Sequence, residues 1–291
     1  MILSAALNPV VRRAICCIVS WLIVGCTENP FTNTETFQSH SSFSGQIQFN
    51  QSDTTQMPRA YIWMEALDFG TFSEIGGAFK LSLPSPSNQP GGGFTGSSNV
   101  YFYLANFSLD SIRVVMHKGE LIFERGSLNN VGQVEEDIVL NQLFSVDISA
   151  EPAFFTSGFE DTLDVSVTLS AFADSQAIWT MAATTDDISS VLLWQVDSTS
   201  NDATFLRNLD ATEQLRIIGE TPVTWHGQFV IAPQLIDIGE YRVLPHLWVD
   251  GHRPPDALIR KLGTTFRAYD ESFRFLPFLR NGGKLTILEP K

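Results

Sequence analysis

Chemistry would begin with the histidines, of which there are five. His246 and His252 flank Asp250, but the spacing matches no zinc motif, and a metal site would need a further ligand from elsewhere in the chain. His117 precedes Glu120 across the Lys118-Gly119 turn, with no partner in sequence. His226 falls on the polar face of a predicted strand. Asp197, Thr199 and Asn201 place side-chain oxygens at positions one, three and five, as a calcium loop does, without its later glycine and glutamate. No serine lies in G-x-S-x-G and no H-E-x-x-H occurs. The Gly91-Gly92-Gly93 run lacks the Lys-Ser/Thr and helix of a phosphate loop. Glu135-Glu136 and Asp186-Asp187 read as solvated surface. No catalytic residue, metal or cofactor is therefore expected, and a hydrolase with a dispersed carboxylate pair stands only as an alternative.

Charge placement is more informative. Formal net charge is −14, which argues against nucleic acid as a partner. Yet residues 252–284 hold seven Lys or Arg against three acids, interleaved with Phe266, Tyr269, Phe273, Phe275 and Phe278. Arginine beside aromatic side chains is the composition that protein interfaces favour. Arg253, Arg260, Arg267, Tyr269, Phe273, Arg274 and Arg280 are the candidate contacts for a protein or glycan partner. The other reading makes the segment a plug, with phenylalanines closing one end of a sandwich and arginines paired to an acidic body. Trp179, Trp194, Trp225 and Trp248 are alternative stacking platforms for a glycan, and Trp194 could also be a core residue.

The elements that must position these residues are strands. Ile47 and Phe49 alternate with Gln46 and Gln48, and Phe79, Leu81 and Leu83 with Lys80 and Ser82. Leu163, Val165, Val167 and Leu169 alternate with Asp164, Ser166, Thr168 and Ser170. Period two puts one face into a core and the other into water. Further strands are expected at 177–184, 190–196, 214–218, 224–231, 240–249 and 284–288. Helix signals are confined to 256–263, bounded by proline and glycine, and more weakly to 202–209. The fold class expected is all-β, with two antiparallel β-sandwich domains at 43–150 and 151–291, divided near Glu151-Pro152, and 252–284 as an insertion in the second.

Gly45-Gln46-Ile47, Arg59-Ala60-Tyr61-Ile62 and the Gly76-to-Pro84 stretch GGAFKLSLP resemble the opening of a carboxypeptidase-regulatory-like (transthyretin-like) domain. That family runs through a Gly-x-Val strand, an Ala-x-Val strand and a Gly-x-Phe-x-Leu-x-Leu-Pro strand. The resemblance implies a non-catalytic sandwich and names no ligand. Asp237-Ile238-Gly239-Glu240-Tyr241 has the D-x-G-x-Y form of the tyrosine corner in immunoglobulin-like domains, which gives Asp237, Gly239 and Tyr241 a structural role.

At the N-terminus Arg12 and Arg13 precede an apolar run, Ala14 to Val24, too short for the roughly 20 residues of a bilayer span. Leu22-Ile23-Val24-Gly25-Cys26 resembles the lipobox of bacterial lipoproteins. The resemblance implies a signal peptide at 1–25, lipidation of Cys26 and a membrane as partner through that lipid. Thr27, where Asp would imply inner-membrane retention, implies the outer membrane in a Gram-negative cell. Cys16 and Cys17 fall in the removed segment, so the exported chain would hold no disulfide. Residues 26–42, including His40, read as a flexible tether. The function expected is that of a lipid-anchored envelope lipoprotein with a non-catalytic binding or assembly role.

Overall fold

The computed structural model describes residues 40–51, 58–157, 161–196, 203–232 and 236–289. Cys26, its leader and the calcium-like loop at 197–202 lie outside them.

The first strands follow the alternation in the sequence. They are β1 (Ser42–Asn50), β2 (Tyr61–Met64), β3 (Phe69–Phe72), β4 (Ala78–Ser82), β5 (Gly96–Tyr103), β6 (Asp110–His117), β7 (Glu120–Gly126) and β8 (Ile138–Asn141). One sheet has the order β4-β1-β8, and the sheet facing it the order β3-β2-β5-β6-β7. Between them lie Phe43, Ile47, Phe79, Leu81 and Leu140 from one side and Ile62, Met64, Phe102, Ile112 and Val114 from the other. That shared core makes the pair a sandwich. Gly45 faces Phe79 across β1 and β4. A Cβ on Gly45 would stand 2.8 Å from the Phe79 ring, so the two motif residues fit only as a pair. Lys118 and Gly119, both at positive φ, form the two-residue turn between β6 and β7.

The remaining strands are β9 (Phe144–Glu151), β10 (Phe154–Thr156), β11 (Asp161–Ala171), β12 (Gln176–Ala182), β13 (Ser190–Gln195), β14 (Ala203–Arg207), β15 (Thr212–Ile218), β16 (Val223–Ile231), β17 (Gly239–Pro245), β18 (Trp248–Val249), β19 (Asn281–Gly282) and β20 (Lys284–Leu288). They form sheets ordered β16-β11-β9-β19, β10-β20-β17-β13-β14 and β15-β12-β18. Their core joins Val146, Ile148, Val165, Val167, Trp225 and Phe229 to Val191, Leu193, Tyr241, Val243 and Leu285. Pairing is mostly antiparallel, with β1–β8, β10–β20 and β9–β19 parallel. The chain is all-β and built as packed sandwiches, with a single α-helix among the described residues, α1 (Asp256–Lys261).

Three expectations are corrected. Residues 203–207 form strand β14 against β13, not a helix, because Phe205 and Leu206 are drawn onto the sheet. Core membership changes between Leu140 and Phe144, about ten residues before Glu151-Pro152, since β9 packs entirely with the second core. His40, placed in the tether, stacks on Phe123 with ring centroids 3.7 Å apart and bridges to Leu121.

Both cores belong to one unit from Ser39 to Lys291. A third apolar cluster lies between them. It joins Tyr61, Trp63 and Tyr103, from the outer faces of β2 and β5, to Leu192 and Leu244 of β13 and β17. Leu258, Ile259, Phe273 and Leu276 of the Arg/Phe segment complete it. This explains why β2 is buried on both faces.

Candidate functional site

The Arg/Phe segment is mostly a wedge in this seam. Pro254 and Pro255 lead into α1, which buries Leu258 and Ile259 and ends at Gly263, whose φ is +89°. A 3-10 turn at Glu271–Phe275 is capped by the Asp270 carboxylate, which accepts from the Ser272 amide at 2.8 Å. Asn106 clamps the far end. Its side chain donates to the carbonyls of Phe144 (3.2 Å) and Leu279 (3.0 Å) and accepts from the Leu279 amide (3.0 Å). Asn106 is wholly buried, and nothing in its sequence neighbourhood marks it as a clamp.

Each candidate contact has a definite place. Arg253 is exposed, paired with Asp256 at 2.6 Å and lying 4.6 Å over the Phe266 ring. Arg260 is exposed. Arg267 stacks 4.4 Å over Trp179 and pairs with Glu213 at 3.4 Å. Tyr269 also donates to Glu213, at 3.0 Å; burial, with the Glu213 carboxylate beside it, pushes the phenol pKa upward. Phe273 is wholly buried against His246 and Trp248, so it offers no face to a partner. Arg274 lies over Phe275 and near Glu271. Arg280 lies 4.4 Å over Phe278 and 5.4 Å from Phe273, with Nε and Nη2 closed off from solvent. The plug reading thus describes Phe273 and the guanidinium of Arg280; Arg253 and Arg260 remain at the surface.

The tryptophans do not form a common platform. Trp225 and Trp248 are buried, and Arg267 covers Trp179. Trp194 is not in the second sandwich's core: Val191 and Leu193 point inward there, while Leu192 and Trp194 face the seam. The Tyr241 hydroxyl donates to the Asp237 carbonyl at 2.8 Å, and the ring is buried.

His246 is wholly buried. Its Nδ1 is 3.1 Å from the Ser190 hydroxyl and its Nε2 is 3.3 Å from the Asp270 carbonyl. Desolvation pushes its pKa down to about 4, so the ring is neutral at pH 7. His252 is exposed, and the two histidines do not converge. Among the described residues no three His, Cys, Asp or Glu side chains gather closely enough to hold a metal. Ser166 and His226 form a surface pair at 3.0 Å beside Asp187. Asp187 is engaged instead with the Ala183 amide and the Ser189 hydroxyl, so it does not orient His226 as a catalytic triad requires.

A cavity of about 350 Å³ opens at the seam, with Arg59, Trp194, Arg274 and Arg280 in its walls. A second, of about 400 Å³, shares Phe72, Trp194, Arg274 and Phe275 with it and reaches Lys261. No helix among the described residues is long and apolar enough to cross a membrane.

No family model and no curated protein matches the chain. Among solved structures it is similar to the major pilin T-13 of Streptococcus pyogenes, at 7% identity and a TM-score of 0.25, over 71% of this chain and 81% of the pilin. It is also similar to CBD12 from CALX1.2, at 8% identity and a TM-score of 0.20, over 86% of this chain and 99% of the other. The fold rests on the strand pairing.

Proposed function

We propose that this chain is a lipid-anchored lipoprotein of a bacterial cell envelope whose β-sandwich body is a non-catalytic binding or assembly module. The anchor rests on sequence: Arg12 and Arg13, a short apolar run and the lipobox-like approach to Cys26. Thr27 favours the outer membrane if the cell is Gram-negative. The resemblance of 43–150 to carboxypeptidase-regulatory-like domains and of 151–291 to immunoglobulin-like domains supports a binding role over a catalytic one. The observation that carries the binding half is the seam cavity with its arginine-lined wall. A protein partner is favoured over a glycan, because Trp225 and Trp248 are interior residues.

Two measurements test this. Cys26→Ser abolishes incorporation of a fatty-acid analogue in cells; continued labelling removes the anchor from the account. Cross-linking from membranes captures a partner, and Arg274→Glu lowers capture per folded molecule. Unchanged capture removes the seam as the contact surface.

A further inference from the structure

We propose that the seam cavity binds the carboxylate of a small organic acid, held by Arg280, Arg274, Arg59 and Trp194, with the acid's ring or apolar body against Phe72 and Phe275. This rests on the reading of the body as a binding module, and is independent of the lipid anchor.

The first observation is a contrast among the basic residues of one segment. Arg253 pairs with Asp256, Lys261 with Asp68, Arg267 with Glu213 and Arg274 with Glu271. Arg260 and Lys284 lack an acid too but are exposed to solvent, whereas Arg280 has a buried guanidinium and no acid among the described residues, in a chain where acids outnumber bases by 32 to 18. With acids in such excess, an arginine without one calls for a specific cause. Among the described residues no Asp or Glu lines the cavity.

The second observation is a set of donors without acceptors. Arg280 Nε and Nη2, Arg274 Nε and Trp194 Nε1 are all closed off from solvent with no hydrogen-bond partner among the described residues. All three side chains belong to the wall of the same cavity. Buried polar groups in folded proteins are nearly always satisfied, so four orphan donors on the side chains of one cavity wall, with no orphan acceptor among those lining residues, mark the missing partner as an acceptor, which these side chains turn to meet as it enters. Burial also lowers the Arg280 pKa to about 9, which leaves the group charged at pH 7 and in need of a counter-charge.

Shape sets the rest. Stacking on Phe278 and Phe273 holds the Arg280 guanidinium in a fixed plane, and a fixed planar fork matches a planar carboxylate. A volume of about 350 Å³ is at the small end of ligand pockets. Phe72 and Phe275 are both partly exposed at the cavity and offer apolar surface to the ligand's body. An aromatic acid and a sugar acid share this chemistry, a carboxylate on a six-membered ring.

The test titrates the full chain with benzoate, glucuronate, their neutral counterparts benzamide and glucose, and inorganic phosphate, by calorimetry and tryptophan fluorescence. At least one acid binds about tenfold or more tightly than its neutral counterpart, and benzoate against glucuronate separates the two sources. Arg280→Met weakens that binding about tenfold or more while the melting temperature holds or rises, because an unpaired buried charge is removed. Trp194→Phe keeps the ring, loses the N–H and weakens binding in a chain that folds even if Arg280→Met does not. The proposal is overturned if no acid binds, if acid and neutral compound bind equally, if only phosphate binds, or if neither substitution changes affinity. If it fails while Arg274→Glu still lowers partner capture from membranes, the binding-module reading survives without this ligand.

Discussion

Acidification from pH 7.5 to 5.0 destabilises this protein through His246. The ring is sealed among Phe205, Tyr269 and Phe273, with centroids 5.4, 6.0 and 4.8 Å away. Desolvation is the largest influence on its pKa, opposed by the contacts with Asp270 and Ser190; the Arg280 charge adds to the depression and the Asp270 charge offsets part of it. The folded value is about 4, against 6.5 for a free histidine. Between those values the unfolded chain takes up a proton that the folded chain refuses. The contribution to stability is therefore complete above pH 6.5 and drains away as pH falls toward 4. At about 1.4 kcal/mol per pKa unit the whole difference is about 3 kcal/mol, of which about 2 kcal/mol is lost by pH 5. For a body of this size that lowers the melting temperature by about 4–8 °C. Urea unfolding of the wild type and His246→Gln, followed by tryptophan fluorescence at pH 7.5, 6.0 and 5.0, isolates the effect. Glutamine keeps a donor and an acceptor but does not titrate, so the variant starts less stable and loses less on acidification. Equal losses in both proteins would refute the assignment.

Two substitutions probe the scaffold. Asn106→Ala strands the Leu279 amide and carbonyl inside the protein and costs about 2–4 kcal/mol, read from the urea midpoint, with faster proteolysis between 276 and 281 as a second measure. Tyr241→Phe removes the donor to the Asp237 carbonyl and costs about 1–2 kcal/mol with the ring packing intact; a midpoint within error of the wild type shows that the corner contributes nothing.

How much of this could be read beforehand varies with the kind of information required. The strands β11 and β16 were plain because period two is a local property, and each lies with one face on a core and one in solvent. β14 was missed because five residues bounded by Asp and Asn carry too little periodicity to tell strand from helix, and pairing with β13 decided it. The divide near Glu151-Pro152 was misplaced for a different reason. Val146, Ile148 and Ala150 announce a strand with a buried face, but alternation does not say which core that face joins.

The functional segment divides along the same line. Its composition was legible as an anomaly, since seven basic residues among phenylalanines in an acidic chain need no structure to be noticed. Its two readings, contact surface or plug, could not be separated in sequence, because the answer differs residue by residue. Phe273 and Arg253 lie twenty positions apart in one pattern, yet one is sealed in the seam and the other solvated. What separates Arg280 from its neighbours is a buried guanidinium with no acid beside it among the described residues, a property of three-dimensional pairing alone. That distinction also predicts opposite energetics. Removing one partner of a buried ion pair destabilises a fold, whereas removing a buried charge that never had a partner relieves it. Residues kept against the interest of stability tend to be kept for binding or catalysis, so the sign of the stability change at Arg280 reports on function before any ligand is identified.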